Sequence, residues 1–475
     1  MGLARVFRAG MWLYVSQLVY YVSGFIYWLI LGTLVGPSIL GEASAAIGVA
    51  MTTASLLGLG LGRAVARFVG AGDMDTAALA LRLLPILSAA AGVIAMVAAS
   101  AVGVSLSLAA IAAVTAALTI ANNIVSGFPR GLLETKPVAL ATSLGHVAKV
   151  TVGVFLVMAG LGSLGVAAGY MARQATALAV LAALLASTLR PRRGGSLREL
   201  LAAGAANYLP VVATTLGSWL GVVVLYGSVS AVETGLYYVA STLAGVVVGI
   251  PSVVLSLMMP YLSGLKKGRS EAAEKALRLS LAVTMPLAAS LIAYPSIPLL
   301  LLRREYLEAA PILQVLLATV PLTAYNLIVG SLLYATAMYR LVALRGVTAN
   351  LVSTLLYYPL ALEMGGIGVA LARVLGVLVN FALSVPFGVK AGFKPSPTQL
   401  VLTCAVPLAS SITLAGLGAP AWTGLPAMLI ITGVAYARLG IVKREELRTI
   451  YRVLPTPVAS RLYPLLKPIV EAIYD

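Results

Sequence analysis

Long apolar stretches that follow one another along the chain are the feature that most constrains its fold. Between residues 11 and 440 the sequence repeats runs of mostly apolar residues, separated by short segments rich in glycine, proline or charge. A helix needs ~20 such residues to cross a hydrocarbon layer ~30 Å thick. Inside lipid the backbone must satisfy its own hydrogen bonds, and a helix does so within one segment. The sequence therefore predicts an all-α polytopic membrane protein.

Composition agrees with this interpretation. Only 10% of the 475 residues are charged and the mean hydropathy is +1.01, whereas a soluble domain carries about 25% charged residues. The first run, 11–35, is too long for the core of a cleavable signal and lacks a small-residue cleavage site, so we expect no signal peptide. We predict fourteen spans: 11–35, 39–61, 77–103, 106–127, 138–160, 164–189, 200–227, 235–262, 276–302, 309–335, 341–362, 365–389, 400–417 and 424–439.

The distribution of basic residues tests the span count. With both termini in the cytoplasm, 27 of the 32 basic residues, Lys275 and Arg278 among them, fall in the tails and the inner loops. The outer loops hold only Arg303 and Arg304. This asymmetry follows the positive-inside rule and predicts an even number of spans in the cytoplasmic membrane. The net charge of +17 is then explained by topology and by contact with anionic membrane lipids, and we expect no nucleic-acid partner.

Short matches indicate an internal repeat. Asn123-Ile-Val-Ser-Gly127 corresponds to Asn326-Leu-Ile-Val-Gly330, and Gly165-Val-Ala167 corresponds to Gly368-Val-Ala370 at the same offset. We therefore predict two pseudo-symmetric lobes of six spans each, residues 1–195 and 196–395. Parallel repeats of this kind recur among transporters. Residues 396–475 would add two spans and a tail lying on the cytoplasmic leaflet, with a disordered tail as the alternative.

The sequence lacks the motifs of an enzyme. It has no Gly-rich loop followed by Lys and Ser or Thr, and one histidine without an acidic cluster makes a metal site improbable. We expect no enzyme activity and no cofactor. The single cysteine, Cys404, excludes an internal disulfide.

Three basic residues lie inside predicted spans: Lys149, Arg173 and Arg373. A buried cation without a partner costs ~2.5–3.5 kcal/mol on insertion scales, and such residues usually face a bundle interior or a wet cavity. His146 precedes Lys149 by one helical turn and shares its face. We predict that these residues line a cationic cavity between the lobes that receives an anionic group. The alternative is that backbone carbonyls satisfy each cation or that its side chain snorkels to an interface.

Further polar residues are weaker candidates for substrate binding. Arg63 and Arg67 share a face near the inner end of the second span, where they could capture a phosphate or simply follow the positive-inside rule. Asn123 and Asn326 could line the pore or hold helices together. Many aromatic residues fall near predicted outer ends, which favours an aromatic belt, with a sugar-stacking surface as the alternative: Tyr27, Trp28, Tyr226, Tyr237, Tyr238, Tyr294, Tyr357, Tyr358 and Trp422.

Several motifs resemble a known family. The run Gly58-Leu-Gly-Leu-Gly-Arg63-Ala-Val-Ala-Arg67-Phe-Val is similar to the end of the second span in polysaccharide and O-antigen flippases. Gly235-Leu-Tyr-Tyr-Val-Ala240 with Met259-Pro-Tyr-Leu-Ser263 resembles their eighth span, and Glu305-Tyr-Leu-Glu-Ala-Ala-Pro-Ile-Leu313 the start of their tenth. The resemblance implies membership of the multidrug/oligosaccharidyl-lipid/polysaccharide (MOP) exporter superfamily. It also implies a V-shaped fold of two six-helix lobes.

The resemblance and the buried cations together predict a flippase. It would move a polyprenyl phosphate- or pyrophosphate-linked oligosaccharide from the inner to the outer leaflet by alternating access, as a monomer that could associate with glycan-assembly enzymes. Alternatives are a lipid II-type flippase, a multidrug extruder that exchanges cations, and a non-transporting scaffold for glycan assembly. Extruders of the superfamily generally use buried acids, and this sequence buries cations instead.

Overall fold

A computed structural model describes residues 3–186, 188, 194–256, 258–265 and 267–446. Within these ranges the regular elements are all helices, and no strand is present. The tail that we predicted to lie on the cytoplasmic leaflet falls mostly outside the described residues.

The first half of the chain contains eight α-helices, with a π-helical turn, Val157–Leu161, between the last two. Their bounds are α1 (Leu3–Leu34), α2 (Pro37–Leu57), α3 (Leu61–Gly70), α4 (Met74–Ala101), α5 (Leu106–Val125), α6 (Gly127–Gly131), α7 (Lys136–Leu156) and α8 (Gly162–Leu184).

The second half contains ten α-helices, with a 3₁₀ helix, Arg304–Ala309, between the fifth and the sixth of them. Their bounds are α9 (Leu197–Ser228), α10 (Ala231–Ser256), α11 (Met258–Gly264), α12 (Arg269–Ala293), α13 (Ser296–Leu299), α14 (Ala310–Leu317), α15 (Val320–Ala335), α16 (Tyr339–Lys390), α17 (Pro397–Gly416) and α18 (Ala421–Arg438).

Local chemistry at the helix ends explains several of these boundaries. Asp73 caps α4, where its Oδ1 accepts a hydrogen bond from the Thr76 N–H at 3.0 Å. Hydrogen bonds with the side chain and then the backbone of Thr76 hold the pKa of Asp73 below its usual range. Ser196 caps α9 in the same way, accepting from the Glu199 N–H. Both satisfy N–H groups that a helix start leaves without a partner.

The helices are long and apolar enough for a polytopic membrane protein. In the described part of the chain nine helical segments could cross a membrane, or ten if the pair Arg304–Leu317 and Val320–Ala335, bent by 41°, is counted as one span. Two of the nine, Lys136–Leu184 and Tyr339–Lys390, contain 49 and 52 residues. This confirms the all-α membrane class. The count of fourteen crossings and the cytoplasmic termini stay predictions.

The two longest helical segments are interrupted at glycines that occupy corresponding positions in the internal repeat. Gly162 has φ 46° and ψ −123°, and Gly365, which lies 203 residues later, has φ 56° and ψ −135°. Side chains with a Cβ atom rarely adopt positive φ, so both breaks depend on glycine. The shared backbone conformation supports the internal repeat, whereas the lobe boundaries at 195 and 395 stay predictions.

The described residues fall into two compact units. The first comprises Met1–Leu243, Leu299–Ile312 and Ala343–Val379. Within it, α2 and α10 cross closely: a Cβ added to Gly41 would lie 1.8 Å from the Ala231 oxygen, and one added to Gly235 would lie 1.9 Å from the Pro37 oxygen. Glycine is therefore required at both positions for the backbones to approach.

The second span is shorter than we predicted. Helix α2 ends at Leu57 rather than 61, and Leu59 and Gly60 both have positive φ before α3 begins. At this turn a Cβ on Gly60 would meet the Gly204 carbonyl oxygen. The close approach of α9 therefore breaks the helix where hydropathy alone suggested continuity.

The second unit comprises Ala244–Pro298, Leu313–Val342 and Asn380–Asp475. Its α12 carries Arg278, which we assigned to a cytoplasmic loop; the structure places this residue inside the helix, and its side of the membrane stays a prediction. Arg278 is buried, donates to the Ile441 carbonyl oxygen and pairs with both oxygens of Glu446. This buried ion pair holds residues 441–446 in contact with α12.

Candidate functional site: a cluster of buried cations

Lys149 lies at the centre of the candidate site, on α7. Its side chain is only 2% exposed. The ammonium group lies 4.8 Å from the centre of the Tyr27 ring and 5.1 Å from the centre of the Tyr170 ring. These contacts are cation–π interactions, which attract a cation to an aromatic face. Helices α1, α7 and α8 each contribute one of the three residues.

The Tyr27 side chain occupies a slot made by two glycines. Its hydroxyl donates to the Val166 carbonyl oxygen at 2.8 Å. A Cβ on Gly153 would lie 2.4 Å from that hydroxyl, and one on Gly169 would lie 2.5 Å from it. Glycine at these positions lets α7 and α8 close around the ring, which holds the ring against Lys149.

Arg173 and His146 lie beside Lys149. Arg173 approaches the Tyr170 ring with its Cζ 5.9 Å from the ring centre, and its charge acts on both His146 and Lys149. His146 Nδ1 contacts the Ser23 hydroxyl at 2.7 Å. The Nε of Arg173 and the Nε2 of His146 are buried and have no hydrogen-bond partner among the described residues. Such atoms are costly to leave unpaired, so a polar ligand or water would be favoured there.

Arg373 lies in the same unit, on the second part of α16. Its guanidinium lies beside Tyr237 and Tyr357, and it hydrogen-bonds the Tyr237 side chain. Both tyrosines are at most 1% exposed. Helix α10 therefore contacts both cationic positions, because Tyr238, next to Tyr237, shares a hydroxyl hydrogen bond of 3.2 Å with Tyr170.

No carboxylate balances these charges in the part of the chain that the structure describes. The ion pairs found there, Lys275–Glu446, Arg278–Glu446 and Arg303–Glu305, do not include Lys149, Arg173 or Arg373. Glu233, an acid of the same unit, instead accepts a hydrogen bond from the Gly366 N–H at 2.8 Å. The site therefore carries net positive charge, which attracts anions and repels cations.

The aromatic residues correct our belt interpretation. Five of the nine that we assigned to the membrane interface are at most 8% exposed. Three of them pack around Lys149 and Tyr170: the Trp28 ring lies 4.5 Å from the Tyr238 ring, and Tyr27 lies 5.4 Å from Trp28. By contrast, Tyr358 and Trp422 are 58% and 78% exposed, as a belt requires. The buried five are Tyr27, Trp28, Tyr237, Tyr238 and Tyr357.

The other predicted site residues lie on other elements: two on α3, one near the end of α5 and one in the second unit. Arg63 and Arg67 are exposed on α3, and Arg67 contacts the Phe68 ring. The side chain of Asn123 is exposed. Asn326 is 5% exposed and belongs to the second unit, on α15. Their roles in binding stay predictions.

The sequence analysis missed a polar network next to Arg173. Asn122, not Asn123, joins helices α5 and α8: its Nδ2 donates to the Gln174 carbonyl oxygen at 2.8 Å and to Gln174 Oε1 at 3.1 Å. Gln174 Nε2 in turn donates to the Thr119 hydroxyl at 2.7 Å. The sequence did contain a signal for this network, namely side-chain amides inside two apolar runs. Buried polar side chains in membranes usually form hydrogen bonds between helices.

The second unit contains an apolar groove of about 640 Å³. Helices α12, α15, α16 and α17 line it with aliphatic and aromatic side chains, and Lys394 is a charged residue at its wall. The single cysteine, Cys404, also lines it. No group of three or more potential metal ligands occurs in the described ranges.

Comparisons with known proteins agree with the fold described above. Residues 75–309 match the family described as "Polysaccharide biosynthesis protein". The structure of "Lipid II flippase MurJ, inward closed conformation" shares 14% identity and a TM-score of 0.71, covering 91% of this chain and 98% of that one. No curated protein sequence matches the chain significantly.

Two transporter structures share the fold more distantly. An outward-facing multidrug resistance MATE family transporter of the MOP superfamily has 17% identity and a TM-score of 0.55, over 82% of this chain and 95% of that one. A MOP superfamily transporter from Pyrococcus furiosus Vc1 (DSM3638) has 16% identity and a TM-score of 0.54, over 84% of this chain and 96% of that one. Its description reports a binding pocket of reverse polarity.

The chain thus shares the fold of transporters of the MOP superfamily, and residues 75–309, just under half of its length, match a polysaccharide biosynthesis family.

Proposed function

We propose that the protein is a flippase for a lipid-linked oligosaccharide in the cytoplasmic membrane. The polyprenyl phosphate or pyrophosphate headgroup would enter from the inner leaflet and bind at Lys149 and Arg173, with Arg373 as a second cationic position. Alternating exposure of this site to the two leaflets would carry the headgroup and its glycan across. The proposal rests on one observation. The site carries a net positive charge, because its cations have aromatic neighbours and no carboxylate neighbours.

The substrate's lipid tail needs an apolar path. The groove of the second unit, with its aliphatic and aromatic lining and its volume of about 640 Å³, offers surface of the right chemistry for a polyprenyl chain. Lys394 at its wall suits an anionic headgroup on such a chain.

The helix lengths support fourteen crossings. At ~1.5 Å per residue an unbroken helix of 49 or 52 residues would be more than twice as long as the hydrocarbon layer is thick. The breaks at Gly162 and Gly365 therefore make two crossings of each segment. The bent pair Arg304–Leu317 and Val320–Ala335, α1 and α18 then bring the crossings to fourteen, an even number that places both termini in the cytoplasm, as the basic residues predict.

The membrane potential can drive the proposed step. An inside-negative potential favours outward movement of negative charge by ~2.3 kcal/mol per charge per 100 mV. A phosphate headgroup is anionic, so its outward transfer gains this energy without a buried acid to carry a coupling ion. Imposing an inside-positive potential on proteoliposomes should therefore slow outward flipping.

Reconstitution tests the proposed activity. Purified protein in vesicles that contain fluorescent polyprenyl pyrophosphate-linked oligosaccharides should bring the probe to the opposite leaflet, where a membrane-impermeant quencher reaches it. Empty vesicles and protein with Lys149→Ala serve as controls. Transport equal to that of empty vesicles, from protein that is folded and correctly oriented, would contradict the proposal.

A lipid II-type flippase is the second candidate, favoured by the TM-score of 0.71 with a lipid II flippase. The same vesicles loaded with fluorescent lipid II distinguish the two substrates.

A cation-coupled multidrug antiporter is disfavoured, because an organic cation would meet Lys149, Arg173 and Arg373 without a described carboxylate. Proton- or sodium-coupled uptake of an organic cation would reverse this choice. Unchanged glycan export in cells after Lys149→Ala would favour a scaffold role.

A further inference from the structure

Lys149 lies between two tyrosine rings. Tyr27 on α1 and Tyr170 on α8 present their rings to its ammonium group, at 4.8 Å and 5.1 Å from the ring centres. Lys149 is 2% exposed and Tyr27 is fully buried, so these are interior contacts.

A tyrosine and a carboxylate stabilise a buried cation in different ways. A carboxylate cancels the charge, so the pair has little remaining attraction for a second anion. The face of an aromatic ring attracts the cation through its quadrupole and carries no net charge. A lysine between two rings is therefore held in place without a counter-charge beside it.

The two rings are anchored so that they cannot turn away from Lys149. The Tyr27 hydroxyl donates to the Val166 carbonyl oxygen at 2.8 Å. Tyr170 shares its hydroxyl hydrogen bond with Tyr238, whose ring stacks on Trp219 at 5.9 Å. Each hydroxyl is thus engaged with the protein, which leaves the ring face for the cation.

We propose that Tyr27 and Tyr170 are positioning residues that make the site selective for an anionic headgroup. They hold Lys149 without supplying a counter-charge, so a phosphate group gains the attraction of the cation and an uncharged lipid gains nothing. The inference rests on the proposed function, since it concerns how that site distinguishes a phosphorylated lipid from a neutral one.

A pair of substitutions at Tyr170 isolates the contribution of the ring. Tyr170→Phe and Tyr170→Leu both lose the hydrogen bond to Tyr238, and only Tyr170→Phe keeps the aromatic face toward Lys149. We would measure the affinities of purified protein in nanodiscs for polyprenyl phosphate and for uncharged polyprenol of the same length. The ratio of the two affinities reports selectivity for charge, which a general loss of packing does not change.

The expected result is a difference between the two variants. Tyr170→Phe should keep the wild-type ratio within about threefold. Tyr170→Leu should lower affinity for polyprenyl phosphate about tenfold, the scale of one desolvated cation–π contact, and leave polyprenol binding unchanged. Tyr27→Phe and Tyr27→Leu repeat the comparison at the other ring that faces Lys149, so that the test stands if one leucine variant fails to fold.

Two outcomes would overturn the inference. If both leucine variants retain the wild-type ratio, which includes the case in which they weaken phosphate and polyprenol binding equally, the tyrosines do not set selectivity although the proposed function stands. If the wild-type protein itself prefers polyprenol or shows no preference, both the inference and the proposed function fail. In that last case Lys149→Ala would also leave the ratio unchanged.

Discussion

Individual residues show where sequence reasoning succeeds and where it stops. Lys149, Arg173 and His146 stood out because charged and polar groups are rare in apolar runs, and the structure brings the three together. The tyrosines that surround them could not be selected in the same way. Aromatic residues are common in membrane spans, and Tyr27 meets Lys149 only after the chain folds over more than a hundred residues.

At the residue scale, Lys149→Ala should weaken binding of polyprenyl phosphate by about 10–100-fold. The loss of a charge-assisted hydrogen bond of about 1.5–3 kcal/mol accounts for this range. Binding to the purified protein in nanodiscs, by fluorescence or calorimetry, provides the measurement. Lys136→Ala, at the exposed start of the same helix, is the matched control and should bind as wild type does. Equal affinities for all three proteins would show that Lys149 does not contact the headgroup.

At the scale of helices, hydropathy located the apolar segments but did not reveal the contacts that hold them together. It could not show that α2 ends at Leu57, because the break comes from the approach of α9 to Gly60. Nor could it identify the partner of Arg278, since Glu446 lies 168 residues further along the chain. Repeated glycines were visible in the sequence, and their φ angles explain why two helical hairpins turn where they do.

The crossing of α2 and α10 should depend on glycine. Gly235→Ala places a Cβ 1.9 Å from the Pro37 carbonyl oxygen, so the backbones must separate, at a cost of about 1–3 kcal/mol typical of overpacking. We expect a lower melting temperature for the detergent-solubilised protein. Gly245→Ala, on the same helix with no atom within 4 Å, is the control and should be neutral or stabilising. A Gly235→Ala protein as stable as the control would refute the close crossing.

The ion pair of Glu446 should make stability depend on pH. Burial raises the pKa of this carboxyl, but hydrogen bonds from the Lys443 N–H and Arg278, with the charges of Arg278 and Lys275, outweigh burial and hold the pKa below its usual range. The pair therefore stabilises the folded protein above about pH 4.3 and loses this contribution as the pH falls through the lowered pKa.

Glu446→Gln should remove that dependence. It leaves Arg278 buried without its counter-charge, and we expect a loss of about 3 kcal/mol at neutral pH, seen as a lower melting temperature. The difference from wild type should shrink in acid. Glu308→Gln, at an exposed carboxyl, should melt as wild type does at every pH. A constant difference between pH 7 and pH 3 would show that Glu446 does not act through its charge.

At the scale of the whole molecule, charge distribution and span length predicted an all-helical membrane protein, and the fold that the chain shares with solved transporters confirms this class. Composition could not predict that the described residues form two units whose boundaries cut across the repeat, because those units depend on contacts between distant segments. It also gave no sign of the groove in the second unit, which four helices build together.

Cys404 offers a direct probe of that groove. As the only cysteine and a lining residue, it should react with a small maleimide more slowly when polyprenyl phosphate is present. A water-soluble glycosyl phosphate without a lipid tail should give no protection. Equal labelling rates with and without the lipid, measured by mass spectrometry, would exclude the groove as the site of the tail.

The most direct test of the central claim is a cryo-EM map of the protein in nanodiscs with polyprenyl pyrophosphate. The account predicts headgroup density within ion-pairing distance, about 4 Å, of the Lys149 ammonium, with Arg173 beside it. Headgroup density elsewhere, with Lys149 still enclosed by Tyr27 and Tyr170 and remote from the ligand, would contradict it.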